Sequence, residues 1–173
     1  QLFVVVVFYI SLVKICDLTL RHCMIISMKI KSIVAPILFA VLGTSCYVQN
    51  GVFSTKKSKL IDAEGQVFVI RGMNNPHAWF GEKAYAALDN IQATGSNTIR
   101  IVWNTRGKDA DLERIIKRCI ELEMIPMVEL HDVTGNTSGD RLADMAKWYA
   151  EPHRAEMLMK YEKYLLLNIA NEW

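Results

Sequence analysis

From Phe53 onward, short apolar runs of strand character alternate with segments of helical spacing. That alternation constrains the fold more than any other feature of the chain. Lys59-Leu60-Ile61, the turn Asp62-Ala63-Glu64-Gly65 and Gln66 to Arg71 read as a hairpin. Its second arm, Val67 to Met73, is apolar enough to predict the first buried strand. Glu82 to Thr94 reads as a helix that ends at Gly95. Asn97 to Trp103 reads as a strand. Asp111 is placed to cap the next helix, where Leu112, Ile115, Ile116, Cys119, Ile120 and Leu122 form one apolar stripe. Ile125 to Leu130 predicts a third strand. Leu142 to Tyr149 and Pro152 to Tyr161 predict helical pieces, with Pro152 suited to a first turn. Leu165 to Ala170 predicts the fourth strand.

Strand–helix alternation with short loops implies right-handed crossovers and a parallel sheet. Four such units in about 120 residues make half of an eightfold barrel, which typically needs about 250. The expected fold is therefore α/β, a (β/α)8 TIM barrel of which about the first four β/α units are present. The alternative, a doubly wound open sheet, usually carries a glycine-rich phosphate loop after its first strand. Gly72-Met73-Asn74-Asn75-Pro76-His77 lacks that spacing.

The N-terminal part stands apart from this pattern. The chain does not begin with methionine, and Leu2 to Val13 is apolar for about a dozen residues, short of the roughly 20 a bilayer span needs. Met28 is a better start: Lys29 and Lys31 precede an apolar stretch from Ile33 to Leu42, and Gly43, Thr44 and Ser45 are small. Residues 28–46 thus have the anatomy of a secretory signal peptide. Residues 1–27 read as upstream sequence or an atypical extension, and 47–173 as the N-terminal half of the barrel. Cys46 directly follows the small residues. It is read either as a chance cysteine after an ordinary signal or as the lipid-anchor site of a lipoprotein, so the chain is expected to be secreted or held at the cell surface. Cys119, on the helical stripe, is expected to be a small buried apolar residue, with no disulfide framework. A formal charge of +2 from 20 basic and 18 acidic residues argues against a nucleic-acid partner. The one tight basic cluster, Lys56, Lys57 and Lys59, reads as a solvated turn.

Polar residues recur at the predicted strand ends. The first leads to Asn74, Asn75, His77 and Trp79; the second carries Arg100 and leads to Trp103-Asn104. The third ends Glu129-Leu130-His131-Asp132, and the fourth ends Asn171-Glu172. In a parallel barrel these ends share one rim, where catalysis sits. Taken singly, an arginine in a strand is more often a structural ion-pair partner, and a histidine at a strand end more often bonds backbone. Their joint occurrence is what carries weight. A carboxyl beside an amide, as in Asn171-Glu172, suits proton transfer to a sugar's leaving oxygen, and that chemistry needs a second carboxylate across the scissile bond. No obvious one follows, so the chain reads as the front half of an enzyme. His77, His131 and Asp132 match no zinc spacing, and no serine sits on a nucleophile turn, so neither metal nor cofactor is expected.

Four segments now stand in order: Arg71-Gly72-Met73-Asn74, Gly95-Ser96-Asn97-Thr98-Ile99-Arg100-Ile101, Glu129-Leu130-His131-Asp132 and Asn168-Ile169-Ala170-Asn171-Glu172. Together they resemble glycoside hydrolase family 5, whose members are retaining (β/α)8 hydrolases of β-linked polysaccharides. Asn75-Pro76-His77-Ala78-Trp79, His131-Asp132-Val133-Thr134-Gly135 and Asn171-Glu172-Trp173 are similar to segments of the bacterial endo-β-1,4-mannanases of that family. The resemblance implies that Glu172 is the general acid/base, that Asn171 bonds the sugar 2-hydroxyl, and that Arg100 supports the nucleophilic carboxylate. It implies that His131 lines the site and that His77, Trp79 and Trp173 contact sugar; Trp103 is a further candidate for stacking. The family's nucleophile, a glutamate near the seventh strand, has no counterpart here. The implied partner is a β-linked polysaccharide, and the complete enzyme is expected to be a monomer. An endo-β-1,4-glucanase of the same family is the nearest rival, and a non-catalytic carbohydrate-binding half-barrel is the rival from another class.

Overall fold

A computed structural model describes residues 51–173. The signal, extension and lipid-anchor readings of residues 1–46 lie outside that range.

Extended runs rich in β-branched residues pair where a partner strand lies beside them. Two strands, β1 (Ser54–Lys56) and β2 (Lys59–Ile61), form an antiparallel ribbon. Four more, β3 (Gly72–Asn75), β4 (Thr98–Trp103), β5 (Ile125–Leu130) and β6 (Leu166–Asn168), form one parallel sheet in chain order. Sequential order with a crossover at every step is the topology of consecutive β/α units. The crossovers are made by α1 (His77–Ala86) with α2 (Leu88–Gln92), by α3 (Asp109–Glu121), and by α4 (Gly139–Ala150) with α5 (Pro152–Met159).

Alternation along each strand sorts the side chains onto two faces. Ile99, Ile101, Trp103, Val128, Leu130 and Leu167 point outward and join Leu112, Ile116 and Cys119 of α3 and Tyr149 of α4 in the main core. The inward face is different. Met127 and Leu166 pack with Phe53, and Leu60 and Phe68 close over them from the ribbon side. The Phe53 and Phe68 rings meet edge to face at 5.3 Å. Beside Met127 at Arg100, and one step further along the strands at Glu129 and Asn168, the inward face turns polar.

Strand starts are locked by Asn97. Its side chain accepts from Arg71 N (2.8 Å) and donates to Val69 O (2.9 Å), while its own backbone bonds Arg71 O and Ile125 N. At the β3–β4 pairing the backbones approach so closely that a Cβ on Gly72 would sit 2.0 Å from Thr98 O.

Several expectations need correction. The first strand of the parallel sheet starts at Gly72, and not at Val67, and it is exposed except at Asn75. Only Val67 of the preceding run makes a bridge, to Ile61, and Val69 is 60% exposed. β-Branched composition gave Val67–Ile70 strand character, but its pairing with β2 ends after the Val67 bridge and the Phe68 N to Leu60 O bond. The first helix begins five residues early, after Pro76, and bends at Gly81 (φ 40°). Asp111 does not cap α3; Lys108 stands at the cap and Asp109 and Asp111 lie in the first turn, where carboxylates favour the helix dipole. Glu151 is a cap the sequence reading missed: its carboxylate accepts from His153 N and Arg154 N, with Pro152 at the first turn of α5 as expected. The fourth strand is shorter than expected, and the chain leaves it before Asn171-Glu172.

Candidate active site

Arg100 is the hub of the inward face. β4 places it midway between Asn74 of β3 and Met127 of β5 in register. Its Nη2 donates to Asn171 Oδ1 at 2.7 Å, and its Nη1 reaches Asn74 Oδ1 at 3.5 Å. The same Nη2 lies 3.5 Å from Glu129 Oε2. Glu129 is fully buried, and its other oxygen lies 3.3 Å from His131 Nδ1. Burial raises the Glu129 carboxyl pKa, and the Arg100 and His131 charges oppose that shift.

Asn171 is held on three sides. Its backbone N donates to Leu130 O (3.0 Å), its Oδ1 accepts from Arg100, and its Nδ2 donates to Thr134 Oγ1 (3.0 Å). An amide nitrogen carries two hydrogens, so one remains to donate. Glu172 follows at the exposed rim in the left-handed region (φ 41°), a conformation that costs a non-glycine residue and gathers at functional sites. Its carbonyl accepts from Gly135 N at 3.1 Å, which ties this turn to the loop after β5.

Two aromatic rings stand open at the same rim. Trp79 is 60% exposed and meets the His131 ring edge to face at 5.0 Å. Trp173 is half-exposed, with its indole N–H donating to Ser138 O at 3.2 Å. Both have a free face on which a sugar ring could stack. Trp103 does not: it lies in the main core, and a Cβ on Gly107 would strike its ring at 2.2 Å.

His77 departs from expectation. It is 4% exposed, and neither ring nitrogen has a hydrogen-bond partner. Its charged neighbours are Arg114 of α3 and Glu82 of α1, so it belongs to the helical layer and not to the rim. Burial first, then Arg114, lowers its pKa to about 4. Asp132, next to His131, is also structural. Its carboxylate accepts from Thr105 N (2.9 Å) and Thr105 Oγ1 (2.7 Å), joining the loops after β4 and β5.

Sequence reasoning named Glu129 at a strand end but gave it no role in the site. The available signal was a charge inside the apolar strand Ile125-Pro126-Met127-Val128-Glu129-Leu130. It missed Thr134, which holds Asn171, and Tyr149, whose buried hydroxyl sits 3.2 Å from Val128 O and 3.1 Å from Asn168 O and so ties β5 to β6. Among the described residues no three His, Cys, Asp or Glu side chains converge as metal ligands.

Residues 61–173 match the family described as Cellulase (glycosyl hydrolase family 5). The chain is 39% identical over 126 residues to a mannan endo-1,4-beta-mannosidase of Salipaludibacillus agaradhaerens, a match covering 70% of this chain and 40% of that protein. It is 29% identical over 151 residues to the Cellvibrio japonicus protein of the same name, covering 83% of this chain and 35% of the relative. Among solved structures it resembles the mannohexaose complex of Thermomonospora fusca beta-mannanase, with a TM-score of 0.64 and 30% identity over 70% of this chain and 42% of that one. The chain thus spans about two fifths of the length of these relatives. Its parallel β/α units are part of a TIM barrel of the kind these mannanases have, and the chain belongs to glycoside hydrolase family 5.

Proposed function

We propose that the chain is the acid/base-bearing part of an endo-β-1,4-mannanase that cleaves internal linkages with retention of configuration. The observation that carries this reading is the 2.7 Å bond from Arg100 to Asn171, which ties the inward face to the residue before Glu172. Relatives named as mannan endo-1,4-beta-mannosidases support mannan as the substrate.

In this reading a β-mannan chain lies across the rim, stacked on Trp79 or Trp173. Glu172 donates a proton to the leaving glycosidic oxygen. The second carboxylate belongs to the remaining part of the barrel and attacks the anomeric carbon from the opposite face, about 5–5.5 Å from Glu172. Two carboxyls at that distance do not ionise together readily, which keeps a proton on the acid. Once the nucleophile becomes an ester its charge is gone, and Glu172 takes a proton from the incoming water. The remaining N–H of Asn171 is free for the sugar 2-hydroxyl, a bond that strengthens as positive charge develops on the ring. Mannose and glucose differ at that carbon, so Asn171 meets the very group that separates the two substrates.

The test is the complete reading frame expressed and assayed on galactomannan and on carboxymethyl cellulose, with the first anomer released followed by NMR. Release of manno-oligosaccharides as the β-anomer supports the proposal. Cleavage of cellulose alone shifts it to a glucanase, and tight polysaccharide binding without hydrolysis shifts it to a binding half-barrel. We further propose export through residues 28–46. Labelling with a lipid precursor would mark Cys46 in a lipoprotein and leave a released enzyme unlabelled.

A further inference from the structure

Glu129 takes no part in the chemistry proposed above, yet it puts a carboxylate where the sheet is otherwise apolar. It stands one inward step beyond Met127 and is fully buried. Such a charge is unfavourable unless paired groups compensate it, and an apolar residue of similar size would commonly be as stable. Stability alone therefore does not explain it.

The geometry around it is specific. Arg100 Nη2 donates to Asn171 Oδ1 at 2.7 Å, and Glu129 Oε2 lies 3.5 Å from the same nitrogen as an ion-pair neighbour, outside hydrogen-bond geometry. Those two groups come from different segments, β5 and the turn after β6. With both in place the guanidinium cannot rotate away from Asn171 without losing a charged neighbour. Glu129 Oε1 lies 3.3 Å from His131 Nδ1, neither atom has another hydrogen-bond partner, and the other edge of the His131 environment is the exposed ring of Trp79. A carboxylate beside one ring nitrogen holds the proton on that nitrogen and leaves the other as an acceptor.

We infer that Glu129 is a positioning residue, which turns Arg100 toward Asn171 and fixes His131 as the Nδ1–H tautomer. His131 Nε2 then serves as an acceptor for a sugar hydroxyl at the rim. Only the identity of that hydroxyl donor rests on the proposed hydrolase reading; the tautomer and the orientation of Arg100 do not.

The experiment uses the complete enzyme. Long-range proton–nitrogen correlation of the histidine rings near pH 8, where imidazole is neutral, reports the tautomer directly. The expected result is Nδ1 protonated and Nε2 bare on His131. Glu129→Gln keeps the shape and removes the charge. It should mix the tautomers and lower kcat on mannan about 100-fold, with KM little changed. A wild-type His131 protonated on Nε2 overturns the inference, and so does a Glu129→Gln enzyme with wild-type kcat and tautomer. The wild-type spectrum needs no variant, so a misfolded Glu129→Gln protein does not block the decision. An enzyme inert on both β-1,4-mannan and β-1,4-glucan would sink the hydrolase reading instead, and the tautomer would still decide the role of Glu129.

Discussion

The ends of β3 and β5 look alike in sequence and behave differently in the fold. Each offers a polar residue, one intervening residue and a histidine: Asn75-Pro76-His77 and Glu129-Leu130-His131. At β5 the pair falls on the inward face, so Glu129 and His131 meet each other and Arg100. At β3, Asn75 falls on the outward face, and His77 lies past the strand as the first residue of α1. Asn75 donates to Ala84 O of α1 at 2.9 Å, and His77 is buried against the helical layer. A shift of one residue along a strand moves a side chain through the sheet. Polar chemistry at a strand end is therefore a sign of a site only when the parity is inward.

That contrast predicts a division: inward and rim changes cost activity, outward changes cost stability. The largest effect belongs to Glu172. In the complete enzyme, Glu172→Gln should lower kcat/KM on mannan by a factor on the order of 10²–10⁴, since it removes the proton donor. Near-normal turnover would mean that another group supplies the proton.

Arg100→Met breaks the inward hub. It should lower turnover about 10²-fold and also destabilise by about 3–5 kcal/mol, because it leaves the buried Glu129 without its guanidinium. Urea melts at neutral pH read the second effect. An unchanged midpoint would show that His131 alone compensates the carboxylate.

His77 tests the outward side. Its pKa is lowered to about 4 in the fold, so between pH 6.5 and 4 the unfolded chain binds a proton that the folded chain does not. Stability from this group is then complete above about pH 6.5 and is lost as pH falls toward 4, by up to about 3 kcal/mol. Replacing His77 with phenylalanine should flatten that acid limb and leave kcat at neutral pH near wild type. A large loss of kcat with intact folding would return His77 to the site and break the comparison.

Smaller effects sharpen it. Gly72→Ala drives a Cβ into Thr98 O and should cost about 1–3 kcal/mol by prying β3 from β4. Thr105→Val removes one hydroxyl bond to Asp132, worth about 1 kcal/mol, with no effect on turnover.

Much of this was legible beforehand. The four β/α units, the bounds of β5, the apolar stripe of α3 and Pro152 at the start of α5 follow from local periodicity and turn chemistry, which depend on neighbours in sequence. Arg100, His131, Asn171, Glu172 and Trp79 stand out by their positions at strand ends and Trp173 by the family resemblance, and the fold gathers Arg100, His131 and Asn171 into one linked group with Trp79 against its histidine. Val67–Ile70 was misread because strand propensity says nothing about how far a partner strand runs beside it.

The sequence by itself determined the alternation, the barrel class and the order in which polar residues arrive at one rim, because hydrophobic spacing sets secondary structure locally. Only the tertiary structure decided which of those residues share a face. His77 and Trp103 went to the outward layer, and Glu129 came in under Arg100. The physical reason is that parity depends on the residue at which each strand joins the sheet. That register is set by long-range contacts, here the bonds of Asn97 to Val69, Arg71 and Ile125 and the close approach of Gly72 to Thr98.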